Sequence, residues 1–415
     1  MSGVQPASVV HSDLRRILGV QALRAFLYGF GSVVLGTSLA AGGLSDAEVG
    51  SLFATMLVGT AATSIAIGIV GDRVGRRGLY RFLLVVMGIS GAIYAATDAF
   101  AVLLLVALTG TLSTDPNESG PITSLEQAMM GGAPARERAR VFGRYNAVAF
   151  LAGAVGALAG GGPALFRRWF PALPADQRWL LIFPVLAVAC LALARGLSDG
   201  VEAGRAPGRR PLQRSRRSVG RLAALFGLDS FAGGFIVSTF LVFWFNRRFG
   251  ASAELMGAVM FAGGLIQAGS SVLSGWLGTR VGLLNTMVFT HLPSNVLLAL
   301  VPFMPSLRLA VVMLLLRFTL SQMDVPARQA YVVAMVDPEE RTAAAAFTNT
   351  ARYVARPFGA VGAGTLMGPL GVGAPFVLAG ALKIVYDLAL YATFRRVPLP
   401  EEPQTEGATP RPPGR

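Results

Sequence analysis

The sequence predicts an all-α membrane protein, with twelve transmembrane helices in two pseudo-symmetric six-helix bundles. Three observations lead there. The chain is 53% hydrophobic and only 14% charged, with a mean hydropathy of +0.58, whereas soluble domains carry about a quarter charged residues. Apolar runs of about twenty residues recur throughout, the length a helix needs to cross the hydrocarbon core. The pattern also doubles. Gly71-Asp72-Arg73-Val74-Gly75 is echoed by Gly278-Thr279-Arg280-Val281-Gly282, Thr111-Leu112-Ser113 by Thr319-Leu320-Ser321, and Glu137-Arg138 by Glu340-Arg341. Echoes in register at a near-constant offset indicate duplication of a six-helix unit.

The expected spans are 20–42, 48–70, 80–97, 99–131, 143–162 and 179–196 in the first half. In the second half they are 222–245, 252–277, 283–303, 306–334, 343–369 and 371–394. No stretch reads as the short alternating strands of a barrel. Residues 1–14 read as a polar tail, 15–196 as the first bundle and 197–221 as a basic Pro/Gly-rich linker. Residues 222–396 form the second bundle and 397–415 a disordered tail. The first apolar run is long enough to remain as a span, so no cleavable signal is expected. In the fifth span, Gly153, Gly156, Gly160, Gly161, Gly162 and Pro163 put small residues at near-helical spacing, which suits close helix packing.

The net charge of +14 could suggest nucleic acid, but its distribution points to lipid. On this topology 24 of the 36 basic residues fall in one set of loops and the tails. Six fall on the other side: Arg167, Arg168, Arg178, Arg247, Arg248 and Arg308. The positive-inside bias puts both termini in the cytoplasm of a multi-pass protein of the cytoplasmic membrane. The basic loops there would meet anionic lipids. The single Cys190 can form no intrachain disulfide.

Between the second and third runs lies Gly68-Ile-Val-Gly71-Asp72-Arg73-Val-Gly75-Arg76-Arg77. This decapeptide resembles the signature loop between helices 2 and 3 of the major facilitator superfamily, with Val70 where Leu is usual. The resemblance extends over residues 15–396. It implies two six-helix halves with helices 1, 4, 7 and 10 lining a central path. It also implies that Gly68, Asp72, Arg73, Gly75, Arg76 and Arg77 form a conformational gating loop. The fifth-span glycines loosely resemble the glycine-proline motif of drug–proton antiporters in that superfamily. However, Gly162-Pro163 falls at the span's end, and the fourth span lacks those proteins' intramembrane arginine.

Charges inside membrane helices are costly and therefore candidates for function. Arg317, Ser321, Asp324, Arg328 and Tyr331 fall on one stripe of the tenth span. Asp115 and Glu118 lie between Pro116 and Pro121 in the fourth, and Arg352 and Arg356 share a face of the eleventh. The substrate and proton pathway is expected to use Asp115, Glu118, Arg317, Asp324, Arg328, Arg352 and Arg356, with the two acidic and basic patches facing each other across the halves. A static ion-pair lattice is the competing reading. Arg24 and Asp229, at matching repeat positions, are a candidate pair between halves. Glu126 reads as a gate pair, His291 as a packing residue, and Lys383 and Asp387 as a mutually neutralising i, i+4 pair.

No Walker loop, metal-ligand spacing or hydrolase constellation is present, so no enzyme activity, cofactor or metal is expected. The resemblance implies a monomeric secondary transporter moving a small molecule by alternating access, with protons as coupling ion. The five intramembrane arginines suggest an organic anion or drug-like compound. Import and export both stay open. The alternative is a transport-inactive receptor or scaffold of the same fold, and no nucleic-acid partner is expected.

Overall fold

The computed structural model describes residues 7–112, 120–130, 135–174, 177–202, 215–336 and 340–397. Among them the chain is helical, with no strand. The first half holds α1 (Ala7–Ala41), α2 (Asp46–Val74), α3 (Arg76–Ala96), α4 (Phe100–Ala107), α5 (Pro121–Met130), α6 (Ala135–Gly160), α7 (Gly162–Trp169) and α8 (Ile182–Arg195). The second holds α9 (Arg216–Gly234), α10 (Ser238–Phe249), α11 (Ala253–Val281), α12 (Leu283–Leu300), α13 (Leu307–Leu320), α14 (Asp324–Ala334), α15 (Arg341–Leu370) and α16 (Ala374–Phe394). Ten helical stretches of the described residues are long and apolar enough to cross a membrane. The fourth expected span is divided between α4 and α5, and the eleventh is α15. Neither is among the ten.

Several boundaries differ from expectation. The helix expected from residue 20 begins at Ala7, so most of the expected tail is helical. Its polar start has a partner: Asp13 accepts the Ser198 backbone amide at 3.0 Å and so fixes α1 to the end of α8. The linker also ends earlier, because α9 starts at Arg216 and carries Arg216, Arg217 and Arg221 on helix. Expected span seven breaks after Gly233-Gly234, and span ten breaks at Ser321–Met323. Glycine pairs weaken a helix, and Pro326 has no N–H to donate to the carbonyl four residues back. The five-residue stripe expected along span ten is therefore not one continuous helix face.

The charged decapeptide is mostly helix rather than loop. α2 runs to Val74 and α3 begins at Arg76, so Gly75 alone makes the turn, with φ +97°. Its echo Gly282 does the same between α11 and α12, with φ +85°. This left-handed region suits glycine because a Cβ would crowd the neighbouring peptide.

The duplication shows most clearly where helices touch. A Cβ on Gly29 of α1 would overlap the Gly153 carbonyl of α6, and one on Gly156 would overlap the Phe26 carbonyl. In the second half, Gly234 of α9 meets the Arg356 carbonyl of α15, and Gly359 meets the Phe231 carbonyl. The four contacts map onto each other at offsets of 205 and 203 residues. Each half thus carries the same backbone interlock between its first and fifth spans.

The seam between the halves repeats a second device. Gly50 of α2 packs on Gly364 of α15, and Gly257 of α11 packs on Ala157 of α6 and on Gly161 just past its end. Gly36 of α1 rests on Val242 of α10. We term the end where α1 and α9 begin proximal, and the opposite end distal. These close approaches all lie in the distal half.

Because the interlocks leave no room for a side chain, Gly29→Ala and Gly234→Ala are expected to destabilise by about 1–3 kcal/mol or more. Gly78 and Gly143 face open space, so alanine there is expected to be neutral or to stabilise by about 0.5–1 kcal/mol. Thermal melting of the purified protein in detergent checks both. Equal melting of all four variants would refute the interlock.

Candidate functional site: two buried charge clusters and an apolar groove

Each half encloses its own charge cluster. In the first, Arg24 of α1 donates to Glu126 of α5 at 2.6 Å, and both are essentially inaccessible to solvent. Glu126 also accepts Tyr80 of α3 at 2.7 Å and Tyr145 of α6 at 2.5 Å. Gln21 accepts a further Arg24 hydrogen bond, and Arg24 lies 5.4 Å from the Tyr28 ring. The Glu126 carboxylate is therefore satisfied by groups from the other three of these four helices of one bundle, and Arg24 finds its counter-charge there.

The second cluster is larger. Asp229 of α9 accepts Lys383 of α16 at 2.5 Å and Arg328 of α14 at 3.3 Å. Arg328 also reaches Asp324 at 3.2 Å. On the far side of Asp229, at 3.9 Å, stands His291 of α12, whose Nδ1 lies 2.8 Å from Asp387 of α16. Asn295 completes the group by donating to Asp387 at 2.9 Å. Leaving a buried charge of this kind unpaired costs about 3–5 kcal/mol.

Several sequence readings are corrected here. Arg24 and Asp229 do not pair with each other, because each finds its counter-charge within its own half. Lys383 and Asp387 do not neutralise each other: Lys383 binds Asp229, and Asp387 binds His291. His291, expected as a hydrogen-bonded packing residue, bonds Asp387 and Asn295 within the cluster, and Glu126 pairs inside one bundle. Asp324 and Arg328 turn into the second half's interior. Arg317 stands on α13, before the helix break, with its guanidinium 5.7 Å from the Phe318 ring. Arg352 and Arg356 are half-buried on α15, and the Arg352 carbonyl accepts the Ser230 hydroxyl at 2.8 Å. Asp115 and Glu118 lie outside the described residues, as do the side chains of Asp72 and Arg73 and the surroundings of Gly68.

Glu126, His291, Asn295 and Lys383 entered these clusters without being expected there. One signal was available. His291 and Asn295, like Lys383 and Asp387, sit four residues apart on otherwise apolar helices, and such polar pairs must find partners.

Arg76 and Arg77, of the expected gating loop, have visible partners. Glu202, just past α8, accepts the backbone N–H groups of Arg76 and Arg77, each at 2.8 Å. Arg77 also contacts Asp199, and Arg76 donates to the Ala128 carbonyl at 3.2 Å. Partial burial opposes ionisation of Glu202. The two amides and the Arg77 guanidinium outweigh it and hold the carboxyl below its ordinary value. An anion at the positive end of α3 is favoured for the same reason.

An apolar groove of about 650 Å³ runs between α9 and α15 on the face of α9 away from Asp229. Gly220, Ala224, Leu228, Phe231, Ala351 and Phe358 are among its walls. The α15 stripe continues distally to Val361 and Thr365, which meet α2 of the other half. The groove therefore opens along the seam.

Over residues 17–323, and again over 223–414, the sequence matches the Major Facilitator Superfamily. The chain belongs to the major facilitator superfamily. It is a multi-pass membrane transporter by family, and two solved transporters show the same fold. A D-xylose–proton symporter is 15% identical with a TM-score of 0.69, covering 91% of this chain and 97% of the other. The human organic anion transporter MFSD10 (TETRAN) is 19% identical with a TM-score of 0.60, covering 93% and 100%. An uncharacterized membrane protein of Saccharomyces cerevisiae, YJR124C, is 24% identical over 92% of this chain and 94% of its own length.

Two outcomes follow from this geometry. Asp229→Asn strands Lys383 and is expected to cost about 3–5 kcal/mol, whereas Lys383→Met leaves Asp229 with Arg328 and should cost less. The double variant should recover much of the loss in a melting-based double-mutant cycle, and strict additivity would show that the two do not interact. Glu202→Gln should weaken the α2–α3 turn by about 1–2 kcal/mol. Because the folded-state pKa of Glu202 is lowered, its contribution is present above the unfolded value of about 4.3 and disappears as pH falls through the folded value. Wild type and variant should therefore differ in melting at pH 7 and converge in acid. A gap unchanged by acid would refute the carboxylate clamp.

Proposed function

We propose that this chain is a secondary active transporter that moves a small organic anion across the cytoplasmic membrane by alternating access, coupled to protons. The observation that carries this reading is the closure of the buried charges within each half. Rocking of one bundle against the other then breaks no buried ion pair. Among the described residues, what must part is apolar and small-residue contact along the seam and one exposed pair, Arg168–Glu254 at 3.1 Å. A static lattice or scaffold would instead be expected to bridge the halves with buried charge. With the proximal end assigned to the cytoplasm by the basic bias, the distal closure corresponds to an inward-facing state.

The same geometry sorts the acids. Arg328 sits between Asp229 and Asp324, and Lys383 is on Asp229. These groups act as a fixed anchor. Among the described residues Asp387 is held by His291 and Asn295, and Tyr386 and Asp229 stand beside His291. In our reading His291 and Asp387 together take up one proton in one orientation of the halves and release it in the other, which makes this pair the coupling group. For the substrate, the basic residues Arg217 and Arg221, exposed near the proximal start of α9, favour an anion. The fold is also that of a proton symporter and of an organic anion transporter.

Transport in proteoliposomes tests this. Asp387→Asn is expected to lower accumulation driven by a pH gradient at least tenfold while leaving counterflow at equal pH near wild type. Asp324→Asn should lower both, together with thermal stability. If Glu118→Gln uncouples and Asp387→Asn does not, the proton is carried on the fourth span. If no anion in a broad panel shows counterflow, the transporter reading fails in favour of a receptor or scaffold.

A further inference from the structure

Resting on the transport reading above, we propose that the solute is an amphiphilic anion. Its hydrocarbon or aryl body lies in the α9–α15 groove, and its charged head is held by Arg217 and Arg221. The observation is the composition of one helix stripe. Arg217, Arg221, Ala224, Leu228 and Phe231 fall at i, i+4, i+7, i+11 and i+14 of α9, a single face. The last three line the groove. The first two continue the same face to its proximal mouth, and both are exposed. Along this stripe the surface passes from basic to wholly apolar.

The opposite wall fits a chain rather than a polar solute. Phe347, Ala351, Ala355 and Phe358 of α15 offer aromatic and small apolar side chains. The volume of about 650 Å³ falls in the range of about 300–1,000 Å³ that small-molecule sites occupy. From Arg221 to Phe231 the helix advances about 15 Å at 1.5 Å per residue, the reach of an extended medium-length alkyl chain. Gly220 and Gly227 make the depth possible. A side chain on Gly220 would meet nothing within 4 Å, so the missing side chain leaves space rather than serving helix packing.

An anionic head is favoured on charge. The two guanidiniums at the mouth stand near the headgroup level of a span, where a long arginine side chain reaches the interface. A cationic amphiphile would meet repulsion there. Binding should also depend on chain length. Each methylene buried adds roughly 0.8 kcal/mol, about a fourfold gain in affinity.

Diazirine-tagged dodecanoate, photo-crosslinked to the purified full chain in phosphatidylcholine nanodiscs, tests the site. Adducts are expected on α9 and α15, competed by dodecanoate at much lower concentration than by octanoate or dodecyltrimethylammonium. Gly220→Leu, which fills the groove from open space, should cut labelling at least tenfold with melting unchanged. Arg217→Gln with Arg221→Gln should erase the preference for anion over cation. Counterflow of radiolabelled octanoate and dodecanoate is measured alongside. Adducts elsewhere, equal competition by the cation, or labelling indifferent to Gly220→Leu would overturn the inference. Counterflow of short hydrophilic anions with no gain from chain length overturns it while leaving the transport reading intact. Groove labelling without counterflow of any anion overturns both, leaving an anionic-lipid site on a non-transporting protein.

Discussion

A charge inside a membrane protein must be met by a counter-charge or hydrogen bond close at hand, because neither lipid nor a packed helix core can solvate it. Much of this molecule is arranged around that cost. Glu126 draws α1, α3, α5 and α6 together, and Asp229 draws α9, α12, α14 and α16 together. Both carboxylates are satisfied inside one bundle. The seam between bundles is left to glycine, alanine and aliphatic contacts. Electrostatics therefore makes each half rigid, while the contact between halves is of a kind that can separate.

The duplication explains which features recur and which diverge. Gly29 and Gly234 occupy the same repeat position, as do Gly156 and Gly359, because each sits where a neighbouring carbonyl leaves no space for a side chain. Arg24 and Asp229 also occupy one repeat position, yet carry opposite charge. The backbone interlock specifies a single residue type. The buried cluster specifies only that the charges balance locally. Swapping the sign at that position was possible once Glu126 in one half, and Arg328 and Lys383 in the other, supplied the counter-charge.

What was legible in the sequence follows the same division. The apolar helical character of the spans, the doubled half and the turn in the charged decapeptide depend on local composition, and a single sequence carries them. The choice of ion-pair partner is not local. Lys383 has Asp387 one turn away, but it binds Asp229, 154 positions distant in sequence. The i, i+4 rule names a possible contact, and tertiary packing offered a better one. Helix breaks were misread for a related reason. Periodicity over Arg317–Tyr331 looks unbroken, while the missing N–H of Pro326 ends the continuity four residues upstream. The gating reading of Asp72 and the pathway reading of Asp115 and Glu118 fall on groups outside the described residues.

The energetic asymmetry between the two kinds of contact bears on how such a protein would switch. Arg168–Glu254 crosses the seam, but Arg168 is 68% exposed, and an exposed pair contributes about 0–1 kcal/mol. Each buried pair within a half would cost about 3–5 kcal/mol to break. Opening the distal end therefore has a far lower electrostatic barrier than any rearrangement inside a bundle. On the alternating-access reading, the equilibrium between states would be set by apolar packing at contacts such as Gly36–Val242, Gly50–Gly364 and Gly257–Ala157. A ligand bound along α9 and α15 touches the helix that forms one side of that seam. An affinity difference of about 1.4 kcal/mol between the two states would shift their ratio tenfold. That makes the groove, rather than the charge clusters, the place from which binding energy can act on the orientation of the halves.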